Sequence, residues 1–105
     1  KSLPIYGGAG YGDQIRGLRD GASIVVGTPG RVVDHLERGT LRLDDLSVVV
    51  LDEADEMLSM GFYDDMLELL KLCVHPQRQT MLFSATLPSQ IDKLIQTHMK
   101  GPAQV

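Results

Sequence analysis

Short apolar runs of strand length alternate along this chain with segments whose apolar residues recur at helical spacing. Leu3 to Tyr6, Ile24 to Val26, Leu46 to Leu51 and Thr80 to Phe83 read as strands. The middle runs lack polar alternation, so they predict a sheet covered on both faces, with parallel strands and helical crossovers. The first helix is predicted over Gly12 to Arg19, with Ile15, Leu18 and Ala22 facing inward and a stop near Gly21. Thr28 offers an N-cap hydroxyl and Pro29 a preset first helical position, ahead of an inner stripe of Val32, Val33 and Leu36 that runs to Gly39. Glu56 to Met60 continues as a helical turn until Gly61. Tyr63 to Leu72 then forms a helix with Met66, Leu69, Leu70 and Cys73 inward, and Pro76 prevents its extension. Pro88 to Met99 forms the last helix, with Ile91, Leu94, Ile95 and Met99 on one face and Gly101-Pro102 as the stop. A further strand is predicted to begin at Ala103. The fold class is α/β: a parallel sheet with flanking helices, read as one run of β-α units over 1–105 with no internal boundary.

Composition narrows the setting. With 105 residues, 43% of them hydrophobic and 23% charged, the chain is one small globular unit or part of one. The formal charge of −4 lacks the footprint of a general nucleic-acid binder, but the total hides an asymmetry. Eight acids fall between Asp44 and Asp65, whereas the first 43 residues carry Lys1, Arg16, Arg19, Arg31, Arg38 and Arg42 against four acids. Any polyanion contact therefore belongs to the first part. Cys73 is the single cysteine, which rules out a disulfide framework and zinc spacing. No apolar stretch approaches the ~20 residues of a membrane span, so a soluble, reducing, cytoplasmic setting is expected. The chain opens at Lys1 without Met, as an excised piece would. His35, His75 and His98 show no metal-ligand spacing and are expected at the surface or at helix ends. The five methionines are expected mostly as core filler, and Tyr11, Phe62, Tyr63 and Phe83 as packing residues that do not interleave with basic ones.

Three constellations carry candidate chemistry. Asp52-Glu53-Ala54-Asp55 follows an apolar strand, and strand carboxyl ends are where open α/β sheets bind ligands. One such carboxylate can anchor Mg²⁺ through its waters while another takes a proton from an attacking water. Ser84-Ala85-Thr86 lies just past another strand, where two hydroxyls can bridge to Asp55. Thr28-Pro29-Gly30-Arg31 opens a helix with free N–H groups, a hydroxyl and a guanidinium, an anion site suited to a phosphodiester backbone. Tyr6-Gly7-Gly8, at another strand end, permits close backbone approach because glycine has no side chain in the way.

Together with Glu56-Met57-Leu58-Ser59-Met60-Gly61-Phe62, these motifs resemble the DEAD-box ATP-dependent RNA helicases, over nearly the whole chain and in the family's order. The resemblance implies a piece of the first RecA-like domain, of P-loop NTPase type. By it, Asp52 stands at the Mg²⁺ waters, Glu53 acts as catalytic base, and Asp55 couples to Ser84 and Thr86. Gly7, Gly8, Thr28, Pro29, Gly30 and Arg31 are implied as contacts to the backbone of single-stranded RNA. ATP and Mg²⁺ are implied for the complete parent, which couples ATP hydrolysis to local duplex unwinding.

The chain contains no Gly-x-x-x-x-Gly-Lys-Ser/Thr loop, so nothing in it cradles the β and γ phosphates. The expected partners are therefore RNA, the phosphate-loop segment and the second RecA-like domain, with no membrane. The isolated piece is expected not to turn over ATP. Without the neighbouring phosphate-loop strand, Thr80 to Phe83 becomes an exposed edge that invites self-association. Two alternatives share these residues: a non-hydrolysing RNA- or protein-interaction module derived from a helicase domain, and a metal-dependent hydrolase that uses Asp52 and Asp55 without nucleotide.

Overall fold

A computed structural model describes residues 2–7, 10–99 and 101–103. The elements follow in the order β1 (Ser2–Ile5), α1 (Tyr11–Arg19), β2 (Ile24–Gly27), α2 (Pro29–Arg38), β3 (Val48–Leu51), α3 (Ala54–Ser59), α4 (Tyr63–Leu72), β4 (Gln79–Leu82) and α5 (Ser89–His98). Each run read as a strand forms one, displaced by no more than two residues at either end. Ala103 belongs to no strand, and the two residues after it lie outside the described ones. The chain divides into two compact units, Lys1–Arg42 and Leu43–Val105. Each contains a pair of parallel strands with helical connections, as expected of α/β architecture.

In the first unit β1 and β2 pair from Ser2↔Ile24 to Ile5↔Gly27, and the Thr28 N–H extends the ladder to the Ile5 carbonyl at 3.0 Å. The start of α2 differs from expectation, because the Thr28 hydroxyl makes no capping bond. Pro29 presets the first turn, and the Val32 N–H reaches the Thr28 carbonyl at 3.1 Å. Gly39 ends α2 at φ 78°, the left-handed conformation that glycine adopts without a Cβ penalty. On α1 the deeply buried residue is Gln14, while Ile15, Leu18 and Ala22 are only half-buried. The polar bonds of Gln14 account for this turn of the helix and are described below.

In the second unit β3 and β4 pair from Val48↔Gln79 to Leu51↔Leu82. Leu51, Ala54, Met66, Leu70, Ile91 and Leu94 form its core; Leu69 and Cys73 are also buried and Ile95 packs against the core, but Met99, read as inward, is only half-buried and lines an open hollow. Arg78 closes the far end. It donates to the carbonyls of Leu70, Cys73 and His98 and, at 2.9 Å, to the Thr80 hydroxyl, which satisfies carbonyls that α4 and α5 leave open.

Cover on both faces of the sheet is not observed within either unit. Residues along a strand alternate sides, and only the side carrying Val49 and Leu51 meets the second unit's core. Val48, Val50, Ile24 and Val26 remain exposed. Met60 is also exposed, unlike most of the methionines. Among the described residues β4 pairs with β3 alone, and Phe83 just beyond it is 54% exposed beside an open hollow of about 1080 Å³.

Gly27 sits where β1, β2 and α2 converge. A Cβ there would press into the Ile5 carbonyl oxygen and come within 2.7 Å of Val32 Cγ2. Gly27→Ala is expected to destabilise the protein by about 1–3 kcal/mol, the usual cost of overpacking, as read from urea unfolding. An unchanged midpoint would contradict this packing account.

Candidate active site at the tips of β3 and β4

The register Leu51↔Leu82 brings the two strands to an end level with each other. Just past that point the Phe83 N–H donates to the Leu51 carbonyl at 2.8 Å, and the Ala54 N–H donates to the Phe83 carbonyl at 3.0 Å. Only Asp52 and Glu53 remain to turn the chain from β3 into α3. The turn places Glu53 at φ 53°, ψ 49°, a left-handed conformation that costs a residue with a Cβ roughly 1–2 kcal/mol. Ala54, at 0% exposure, has no room for a longer side chain. An acidic residue held in strained backbone at a strand tip is what a functional turn looks like.

Asp55 is the hub of this turn. Its Oδ2 accepts from the Thr86 N–H at 3.1 Å and from the Thr86 hydroxyl at 2.9 Å, while Oδ1 accepts from the Glu56 N–H at 3.1 Å. The Ser84 oxygen accepts from the Asp55 N–H at 3.1 Å, and its hydroxyl donates to the Thr86 carbonyl at 2.6 Å. Of the two hydroxyls read from the sequence as bridging to the Asp55 carboxylate, that of Thr86 does so, whereas Ser84 bonds the Asp55 backbone N–H instead because its proton goes to the Thr86 carbonyl. The Thr86 hydroxyl is the largest cause holding the Asp55 carboxyl below its ordinary value of 3.8. Partial desolvation opposes it, and bonds involving Ser84, the Thr86 N–H and the Glu56 N–H add to the lowering.

Asp52 and Glu53 are exposed beside this bridge. Asp52 Oδ1 accepts from the Glu53 N–H at 2.9 Å, which orients that carboxylate. A shallow hollow of about 410 Å³ is lined by Asp52, Glu53, Asp55, Glu56, Phe83, Ser84 and Ala85. Its lining is strongly acidic and contains no basic side chain, so it favours a cation. Among the described residues no group of three or more His, Cys, Asp or Glu side chains could hold a metal by itself. Asp52 and Glu53 are exposed carboxylates of the hollow, and one or two carboxylates, with phosphate and water oxygens completing the shell, is how Mg²⁺ is commonly held. The Asp55 carboxylate is already occupied by three donors, so pairing it with Asp52 as a metal ligand would cost those bonds.

The Gly-Gly and Thr-Pro-Gly-Arg segments lie in the first unit. Gly8 is outside the described residues. Gly7 and Thr28 are exposed, Gly30 is half-buried and Pro29 is buried under the start of α2. The Arg31 guanidinium lies 4.0 Å from the Tyr11 ring centroid and donates to Gln14 Oε1 at 3.3 Å. Two sequence expectations change here. His35 is wholly buried rather than at a surface, with Nε2 2.7 Å from Gln14 Oε1 and Nδ1 2.7 Å from the Thr40 hydroxyl. Tyr11 does meet basic residues, since Arg31 and Arg38 both lie over its ring. The missed signal is helical spacing: Gln14 stands four residues before Leu18, and His35 stands four after Arg31 and three before Arg38.

Parallel β-α units with an acidic turn at one strand tip, bridged to the next strand's end, define a RecA-like type of nucleotide-hydrolase fold. The DEAD/DEAH box helicase family model matches residues 1–94, and the chain belongs to that family. It is 52% identical over 103 residues to the ATP-dependent RNA helicase DeaD of Buchnera aphidicola subsp. Schizaphis graminum, covering 98% of this chain and 17% of that protein. It is 50% identical over 105 residues to the DEAD-box ATP-dependent RNA helicase CshA of Bacillus subtilis, covering all of this chain and 21% of that protein. The chain thus spans about a fifth of the length of these relatives. Among solved structures it is similar to a DEAD box protein from Methanococcus jannaschii, with a TM-score of 0.90, 46% identity, and coverage of 96% of this chain and 27% of that one. A hypothetical ATP-dependent RNA helicase from Sulfolobus tokodaii matches with a TM-score of 0.91, 39% identity, and coverage of 98% and 30%. The fold is RecA-like α/β, and this chain corresponds to part of such a domain.

A carboxyl whose folded-state value is lowered contributes stability that is full above its unfolded value and is lost as pH falls through the folded one. The contribution of Asp55 is therefore expected to be complete above about pH 5 and to disappear below its ordinary 3.8. In acid-unfolding curves Asp55→Asn should flatten this part of the pH dependence. A variant curve parallel to wild type throughout that window would remove Asp55 from the acid response.

Proposed function

We propose that the chain is the later part of the first RecA-like domain of an ATP-dependent RNA helicase, which couples ATP hydrolysis to local RNA unwinding. The observation that carries this reading is the Asp55 carboxylate, bound at once to the Thr86 hydroxyl and N–H from the neighbouring strand's end. It ties the turn that would read a nucleotide to the segment that would report its state.

Within that reading Asp52, oriented by the Glu53 N–H, would hold Mg²⁺, which would supply charge neutralisation at the phosphates. Glu53 accepts the proton of the attacking water. Its backbone strain supports this role, because the left-handed turn sets Glu53 among the residues that line the acidic hollow. Asp55, Ser84 and Thr86 do not touch the reacting atoms. They keep the two strand tips in register and pass displacement from one to the other. The acidic hollow repels phosphate unless a cation is present, so the phosphate-binding groups come from a segment outside this chain. The exposed apolar side chains of β2 and β3, with Phe83 just past β4, support that inference, since each suits cover by further elements of the same protein.

The RNA grip falls to Gly7, Gly8, Thr28, Pro29, Gly30 and Arg31. The exposed turn at Gly7, with nothing within 4 Å of a Cβ there, leaves space for a backbone to approach. Phosphate contacts of this kind bind without reading bases, and the 2′-OH is what would favour RNA over DNA. A buried Cys73, the only thiol in the chain, suits a reducing cytoplasmic location. No described helix is long and apolar enough to cross a membrane. Self-association of the isolated piece through the edge of β4 belongs to the same proposal.

In the full-length protein Glu53→Gln should leave ATP binding intact and lower hydrolysis by about 10²–10⁴-fold, the usual contribution of a general base. Unchanged turnover would remove the base assignment and favour the non-hydrolysing module. Arg31→Ala should weaken binding of single-stranded RNA similarly across sequences and reduce the salt slope by roughly one phosphate contact. A loss confined to particular bases would contradict a backbone grip.

A further inference from the structure

The first unit buries a chain of polar groups that the roles above do not use. Gln14 on α1 is 3% exposed and His35 on α2 is 0% exposed. Among the described residues no buried side-chain nitrogen or oxygen lacks a hydrogen-bond partner, so the network is complete. Its donors can be assigned in sequence. Gln14 Nε2 donates to the Tyr6 carbonyl at 3.2 Å, which turns Oε1 toward Arg31 and His35. A guanidinium only donates, so Oε1 accepts from Arg31 NH1 at 3.3 Å. At 2.7 Å His35 Nε2 must also donate to Oε1 and therefore carries the ring proton. The Thr40 hydroxyl lies 2.7 Å from Nδ1 and 3.2 Å from the His35 carbonyl, and a neutral ring assigns its one proton to the shorter of these contacts, with Nδ1 as acceptor. Burial, followed by the charge of Arg31, pushes His35 below its ordinary 6.5, with Asp34 opposing and Arg38 assisting; the ring stays neutral and the sequence of donors closes.

Both ends of this network are functional segments. Tyr6 adjoins Gly7 and Gly8, and Arg31 lies in the first turn of α2. One buried amide thus bonds the backbone at Tyr6, just before Gly7, and the guanidinium of the Thr-Pro-Gly-Arg segment, and a neutral histidine fixes which way that amide faces. Tyr11 adds a second constraint, because its ring lies against His35 with a 5.3 Å centroid separation and beneath Arg31.

We infer that Gln14, oriented by His35, is a positioning residue for RNA binding: it holds the Tyr6-Gly7 backbone and Arg31 in one fixed arrangement so that both meet the same sugar-phosphate backbone. This rests on the RNA-grip reading above. Gln14 itself does not touch RNA. An alanine leaves Arg31 with Tyr11 but without its amide partner, and frees the Tyr6 carbonyl. A glutamate keeps the length and both acceptor bonds, but it sets a carboxylate oxygen against the Tyr6 carbonyl with no proton between them.

The test is a double-mutant cycle in the full-length protein, with single-stranded oligouridylate as the probe and affinity read by fluorescence anisotropy. Gln14→Ala should weaken binding about fivefold or more alone, and by less than about twofold in an Arg31→Ala background. ATP affinity should stay unchanged, which a general loss of folding would not permit. Equal factors in both backgrounds, or no loss in the single variant, would overturn the inference. Should Gln14→Ala unfold, Gln14→Glu serves in its place, and wild-type RNA affinity in a folded Gln14→Glu protein would equally overturn it. If Arg31→Ala is itself silent, the RNA-grip reading fails and this inference falls with it. If Arg31→Ala weakens binding and Gln14→Ala is simply additive, only the positioning role fails.

Discussion

The pairing of Leu51 with Leu82 is the constraint from which the candidate active site follows. A shift of one residue in that parallel register would turn every β4 side chain to the opposite face and carry Ser84 and Thr86 away from Asp55. Two backbone bonds beyond the last strand residues, Phe83 to Leu51 and Ala54 to Phe83, extend the register into the turn. They leave two residues to change direction. The left-handed backbone at Glu53, the need for alanine at 54 and the reach of Asp55 to Thr86 are consequences of that short span. Chemistry, strain and packing at this tip are one geometric problem with one solution.

The second unit spends its apolar residues on a core, whereas the first organises its interior with hydrogen bonds. Gln14, His35 and Thr40 occupy space that a Leu or Val would fill in a simpler design. A half-satisfied set would be costly, since each buried group without a partner loses about 1–3 kcal/mol. Complete satisfaction makes the arrangement specific rather than merely stable, because an amide and a neutral imidazole accept only one orientation each. Arg31 and Arg38 share the face of one tyrosine, so basic charge in this unit is placed by side-chain contacts rather than spread over the surface.

The Asp-Glu-Ala-Asp turn, the Ser-Ala-Thr segment and the α/β alternation were legible because each depends on neighbours in sequence. Strand length, helical spacing and punctuation by Gly21, Gly39, Gly61 and Pro76 are local properties. Buried His35 was not legible, because a histidine on the flank of an apolar stripe reads as exposed until a partner from another helix claims both its nitrogens. Arg78 was equally silent, since its acceptors lie on carbonyls up to 20 residues away. Cover on both faces of the sheet is not met within one unit: Val48 and Val50 are apolar, yet they stay exposed there, because the chain is only part of such a domain.

Taken alone, the sequence determined which residues form strands and helices, and that acids and hydroxyls stand at the ends of two strands, because apolar period and turn chemistry act over a few residues. Tertiary structure decided the rest. Strand register brought Asp55 to Thr86 across 31 positions, and burial set His35 and Gln14 against partners from other elements. Those contacts arise only when distant groups meet, and no local pattern encodes that meeting.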